Sequence, residues 1–233
     1  MTFEELVKFT CDEVDRPDMT FSSDGGSGEA VRAVLASILT LHQREEYWRD
    51  VVTIQTQFDN SAYIQAVDLD LLPRFRKMYY VRKWDNAYQA SQLNPQTTPP
   101  IDLPSAYALG FMQEITPDAI FDTYGYELTN VWYAAGSSLY IKSNTAFQRA
   151  LIGYYSYPAL VPGTDGKYTG MASWIATNHP WAIIYHAASK IFTSIGQQDV
   201  SRKYDSPAGP GSDGGLVQQQ IAIIDRNNIV AGR

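Results

Sequence analysis

The side chains best able to do chemistry are few: three histidines and one cysteine in 233 residues. His179 and His186 are seven apart, about two helical turns, so they could share a helix face. Zinc is usually gripped by helical pairs at i and i+4 with further ligands close by, and no third ligand stands out in the sequence. Packing or capping is therefore their expected role. His42 ends an apolar helical stretch, where an imidazole answers the negative end of the helix dipole. Cys11 sits in an amphipathic N-terminal segment with no histidine near it in sequence, so a buried, reduced thiol is expected rather than a nucleophile. A lone cysteine also excludes an internal disulfide and any zinc site needing two or four cysteines.

Other catalytic patterns fare no better. There is no Gly-x-Ser-x-Gly elbow. The carboxylates come as neighbours, Glu45 with Glu46, Asp68 with Asp70, and Asp118 with Asp122. Two-carboxylate catalysis needs such groups facing each other across a cleft, which spacing alone does not supply. Asp68 and Asp70 resemble part of a calcium loop whose glycine and distal glutamate are missing, and Asp118 and Asp122 suit the first turn of a short helix. Ser22 to Gly28 holds three glycines but neither a preceding strand nor a following Gly-Lys-Ser/Thr, so it reads as a loop rather than a phosphate cradle. Tyr79, Tyr80 and Trp84, beside Arg82 and Lys83, could stack nucleic-acid bases. The overall balance of 18 basic and 25 acidic residues, net −7, argues against a phosphate-gripping surface. A sheet packed on one side and touching a neighbour on the other is the preferred reading. No metal or cofactor is expected, and no enzyme.

The elements that must position these residues follow from periodicity. Thr2 and Glu5 form a capping box, and Phe3, Leu6, Val7 and Cys11 recur at helical spacing over 3–15. Residues 29–43 give a second helix, with Val31, Val34, Leu35, Ile38, Leu39 and Leu41 on its apolar face. The period then becomes two, with Val52, Ile54, Thr56 and Phe58 on one side of a strand beginning near Trp48. Further strands are expected at 77–84, on both sides of a Gly136-Ser137-Ser138 turn within 131–142, and at 147–157. Residues 85–105 form a proline-rich surface excursion, and Thr116 with Pro117 opens a helical turn running to Tyr124. Helical spacing returns after Gly170: a short piece at 171–177, then a helix capped by Asn178, starting at His179 or Pro180 and running to about Ile195. A Gly/Pro connector at 205–215 precedes a last helix, 216–230.

The expected fold is α+β: a helical bundle from 1–46 and 170–233, carrying a small antiparallel β-sheet domain inserted at 47–169. The N-terminus has no basic, then apolar, leader pattern, and no apolar run reaches the length of a membrane helix, so a cytoplasm-like site of synthesis without membrane insertion is expected.

The layout resembles the head-to-tail adaptor, or connector, proteins of tailed bacteriophages. The segments that carry the likeness are the Thr2-Phe-Glu-Glu-Leu6 opening with Arg16-Pro-Asp-Met19; the 30–41 helix followed by Tyr47-Trp-Arg-Asp-Val51; the Tyr133 to Ile141 hairpin with the Tyr154-Tyr155 strand; and the late 174–198 helix. The resemblance implies a virion protein made in the host cytoplasm. It implies a homo-oligomeric ring, typically of twelve copies, docked beneath the portal protein and above a tail or nozzle protein. DNA would pass through its lumen unbound, which an acidic balance favours. Leu216, Val217, Ile221, Ile224 and Ile229, on the tethered last helix of the segment 205–233, are the expected portal-docking residues. Tyr79, Tyr80, Trp84, Trp132 and Tyr140 are the expected contacts with neighbouring subunits or the tail. Two other readings stay open at this point: a carbohydrate- or receptor-binding virion protein, and an enzyme with a site built from scattered carboxylates.

Overall fold

The capping box at the N-terminus forms as its spacing requires. Glu5 N–H donates to Thr2 Oγ1 (3.2 Å), and Thr2 N–H donates to the Glu5 carboxylate (2.8 Å). It opens helix α1, Phe3–Glu13, and helix α2 follows at Glu29–Arg44. The structure, a computed structural model, describes residues 1–19, 28–85, 109–121, 127–162, 169–205 and 214–231. The glycine-rich loop, most of the proline-rich excursion, Asp122 to Tyr124 and most of the 205–215 connector lie outside the described residues.

The chain divides into two units: Met1–Asp50 with Tyr157–Arg233, and Val51–Ser156. In the first, α1 and α2 are joined by a hairpin of β7 (Ala159–Pro162) and β8 (Thr169–Ala172) and by helices α3 (Trp174–Asn178), α4 (Pro180–Ser194), α5 (Gln198–Asp205) and α6 (Leu216–Ala231). α4 is apolar on most sides and packs against α1, α2, α5 and α6. Its alanines 182, 187 and 188 are fully buried and let the neighbouring helices approach closely. His179, not Asn178, caps α4, with Pro180 at the first helical position. The helix ends in a Schellman turn: Gly196 takes φ +79°, its N–H reaches Thr193 O (3.2 Å), and Gln197 N–H reaches Phe192 O (2.8 Å). The turn allows α5 to start, a helix that the sequence pattern did not announce.

Among the described residues, the second unit is a sheet of six strands: β1 (Val51–Asp68), β2 (Phe75–Asp85), β3 (Leu109–Phe111), β4 (Gln113–Glu114), β5 (Val131–Ala135) and β6 (Ser138–Ser156). β6 is the spine. β1 pairs with it antiparallel from Val51↔Tyr155 to Asp68↔Ser138, while β5 pairs with its first part and β2 with its second. Two strands expected at either end of 138–157 are thus one strand of 19 residues. This unit has its own core, including Val81, Trp132, Leu139, Ile141, Phe147, Ile152 and Tyr154, with Val52, Ile54 and Phe58 packed against it as their alternation requires. The expectation of a helical bundle bearing a small inserted sheet is therefore corrected. The fold is mixed α and β, and the six-stranded sheet is a core-bearing unit in its own right, because β1 and β6 are each far longer than the periodic segments that announce them.

Gly153 shows why one residue of β6 must be small. A Cβ added there would collide with the Tyr80 ring, which lies across it with its hydroxyl 2.9 Å from Thr53 Oγ1. Gly153→Ala is expected to destabilise the protein by about 1–3 kcal/mol, as overpacking does. The loss should shrink when Tyr80→Ala is combined with it, and chemical denaturation of the single and double variants measures both.

Candidate functional site

The histidine read as a dipole partner has a more specific place. His42 stands on the last turn of α2 and is only 2% exposed. Its Nδ1 lies 2.9 Å from both oxygens of Asp50, and its Nε2 lies 2.8 Å from Ser173 Oγ. Asp50 ends a 3-10 turn, Trp48–Asp50, and Ser173 is the N-cap of α3. The Trp174 indole N–H donates to Asp50 Oδ1 (2.8 Å) and so fixes the carboxylate. Around this group, Trp174 meets the rings of buried Tyr47 and of His42 edge-on, and the Arg49 guanidinium sits 5.3 Å above its face. A pocket of about 560 Å³ adjoins, lined in part by Thr2, Glu4, Met171, Ser173, Trp174 and Thr177.

Serine, imidazole and carboxylate in series form the order of a nucleophilic relay. The hydrogen bonds assign them another task. A carboxylate only accepts, so Nδ1–H donates to Asp50, while Nε2 meets the Ser173 hydroxyl. Ser173 Oγ in turn accepts the N–H groups of Ile175 (3.1 Å) and Ala176 (3.3 Å). Both its lone pairs are occupied, and the two amides nearest to it, which could otherwise face an oxyanion, are spent on the serine itself. The relay is a fully satisfied buried network that pins the end of α2 and the turn at Asp50 to the start of α3. Sequence reasoning missed it because its members stand at 42, 50 and 173. The one available signal was Ser173 preceding Trp174 as a cap.

The other candidates are placed apart. His179, half-buried as the cap of α4, has its protonation disfavoured by burial and by Arg49. His186 is buried on α4, and burial, with Lys190 nearby, lowers its pKa to about 4. Among the described residues no group of three His, Cys, Asp or Glu side chains could hold a metal ion. Cys11 is buried, and desolvation with Asp12 and Asp18 nearby pushes its thiol up to about 11, far from nucleophilic character. Asp68 caps a 3-10 turn, Leu69–Leu71, by accepting the Asp70 N–H (3.0 Å). Asp118 lies in the 3-10 turn Pro117–Ala119.

Val217, Ile221 and Ile224, expected to dock on a portal, are buried in the core of the helical unit. Their stripe is already covered by the chain's own helices. Leu216 is exposed, and the side chain of Ile229 lies outside the described residues. Of the expected contact residues, Trp132 is a correction. It is 2% exposed and part of the sheet core, opposite Ile141, because β5 turns that face inward. Tyr140 is half-buried and stacks on Tyr133 (5.2 Å), and Trp84 faces Arg149 across the ladder with its side chain outside the described residues. Tyr79 is 53% exposed. It joins an unbroken series of contacts: Arg76 over Tyr155 (5.2 Å), Tyr155 to Tyr79 (5.3 Å), Tyr79 to Tyr80 (5.4 Å), and Tyr80 beneath Arg82 (5.6 Å). Lys83 leaves this series for the other face, where its ammonium donates to Ser143, Asn144 (2.9 Å) and Thr145 (2.9 Å). No helix among the described residues is long and apolar enough to cross a membrane. No known family description matches the chain, and neither does any curated protein.

Ser173→Ala is expected to cost about 1 kcal/mol of stability as a lost cap. His42→Ala is expected to cost roughly 3 kcal/mol or more, because it strands a buried carboxylate. Denaturant titration of each variant checks the order. His186 gives a pH dependence of known sign. The unfolded chain binds its proton near 6.5 and the folded chain near 4, so stability is full above 6.5, falls as pH drops, and levels off below about 4. In His186→Leu that share of the acid-side slope should vanish from the melting curves.

Proposed function

We infer that the chain is a structural adaptor subunit of a tailed-bacteriophage particle. It forms a ring, typically of twelve copies, between portal and tail, with DNA passing through the lumen. The likeness of its opening helix, its Tyr47-to-Val51 junction and its Tyr133-to-Ile141 hairpin to such adaptors supports this reading. The observation that carries it furthest is the division of labour within the chain. A helical unit closed by α1 and α6 holds a complete core, while the sheet unit carries an arginine–tyrosine series, outside its own core cluster, that exposes Tyr79. A ring subunit needs rigid bodies with exposed aromatic and arginine contacts. The net charge of −7 suits a lumen that lets a polyanion slide. The buried relay of His42, Asp50 and Ser173 fits a rigid body equally well, since it spends its polar atoms on holding helices.

The portal-facing surface in this reading is not the apolar stripe of α6, which is consumed in the core. Imaging purified particles at the head–tail vertex, with copy number from quantitative mass spectrometry, tests the reading. The expected result is a single ring of this chain below the portal. A chain found on fibres or capsid faces, or absent from the particle, would refute it.

A further inference from the structure

Two exposed surfaces, one on each unit, are chemically matched. On the sheet unit, Arg74 and Lys77 are exposed and Arg76 and Arg82 half-buried, and residues 71–84 hold no acidic residue. The tyrosine series with Tyr79 at its exposed centre runs through this stretch. On the helical unit, Phe9 of α1 (39% exposed) and Trp181 of α4 (41% exposed) touch with centroids 6.3 Å apart. Trp181 leads into a row of rings through Tyr185 and Tyr204 to Phe192, which anchors it in the core. Its rim is acidic. Glu5 stands four residues before Phe9, and Asp12 and Glu13 stand three and four after it, hence on its side of α1. Residues 4–18 hold six acidic residues against Lys8 and Arg16.

We propose that the Tyr79 surface of one copy docks on the Phe9–Trp181 surface of a second copy. The proposal rests on the ring reading above and supplies its interface. Opposite charge around aromatic anchors is the composition of an interface hot spot, and it sets orientation as well as attraction. The surfaces differ, so the contact is heterologous. A heterologous contact of this kind closes rings, whereas a two-fold dimer needs one self-complementary patch. A nucleic acid is the competing occupant of the arginine–tyrosine series. It would leave the acidic aromatic patch without a partner, whereas a second copy uses both surfaces.

The test uses two full-length variants, each broken on one surface: Phe9→Ser with Trp181→Ala, and Tyr79→Ser with Lys77→Glu. All four positions are exposed, and circular dichroism and melting confirm folding. Sedimentation of the wild type at micromolar concentration should show self-association, weakened at least about tenfold in each variant alone. Mixing the variants should restore exactly one contact and yield a heterodimer of one copy of each, with nothing larger. A monomeric wild type, an oligomer unaffected by either pair of substitutions, a mixture that gives no heterodimer, or a strip that binds a single-stranded oligonucleotide in place of the second copy would overturn the proposal. If a variant fails to fold, zero-length carboxyl–amine cross-linking of mixed light and heavy wild type decides. A link between copies from Lys77 to an acid of α1 supports the contact, and its absence overturns it. A ring seen in particles but indifferent to these substitutions would sink only this interface. A heterodimer from a chain lacking any vertex ring would sink only the adaptor reading.

Discussion

Everything in the helical unit depends on covering α4. Its buried side chains include Ala182, Ile183, Ile184, Ala187, Ala188, Ile191 and Phe192, and no single neighbour can shield so wide a surface. The chain therefore brings both of its ends to one helix. α1 and α2 arrive from before the sheet unit, α5 and α6 from after it. Closing such a unit costs loop entropy across more than a hundred intervening residues, but that cost grows only logarithmically with length. The apolar area gained on α4 offsets it.

The same constraint explains the fate of the C-terminal helix. A stripe of Val217, Ile221 and Ile224 after a Gly/Pro connector looks like a tethered ligand for another protein. An exposed α4 would be a nearer and more concentrated partner, and the structure uses it. It also explains the polar relay. Where α2 ends and α3 begins, a buried imidazole, carboxylate and hydroxyl complete each other's hydrogen bonds, so these helix ends can be buried without orphaned groups.

The elements that were legible from sequence were those whose signal is local. The Thr2–Glu5 box, the α2 stripe and the Pro180 start of α4 each rest on residues within a few positions of one another. The unity of β6 was not legible because Lys142, Ser143, Asn144 and Thr145 interrupt its alternation. Ser143, Asn144 and Thr145 stay in the strand to receive the buried ammonium of Lys83, some sixty residues away. α5 escaped notice because an eight-residue helix with Val200 and Tyr204 as its inward positions leaves little periodicity to read. Trp132 was mistaken for a contact residue because an aromatic in a short strand looks the same on either face, and only the pairing with Ile141 decides. The Ser173–His42–Asp50 group lay beyond any spacing argument, whereas the tyrosines at 79 and 80 stand out in the sequence, and the structure leaves Tyr79 exposed.

The central physical claim is that one helix is sealed by both ends of the chain as a single cooperative body. Native-state hydrogen exchange reads it directly. The amides of α1, α4 and the described start of α6 should share one opening free energy, separate from that of the β1–β6 ladder. If α6 amides exchange orders of magnitude faster than those of α4 while α1 stays protected, the C-terminal helix is not part of the seal, and the account of this fold fails.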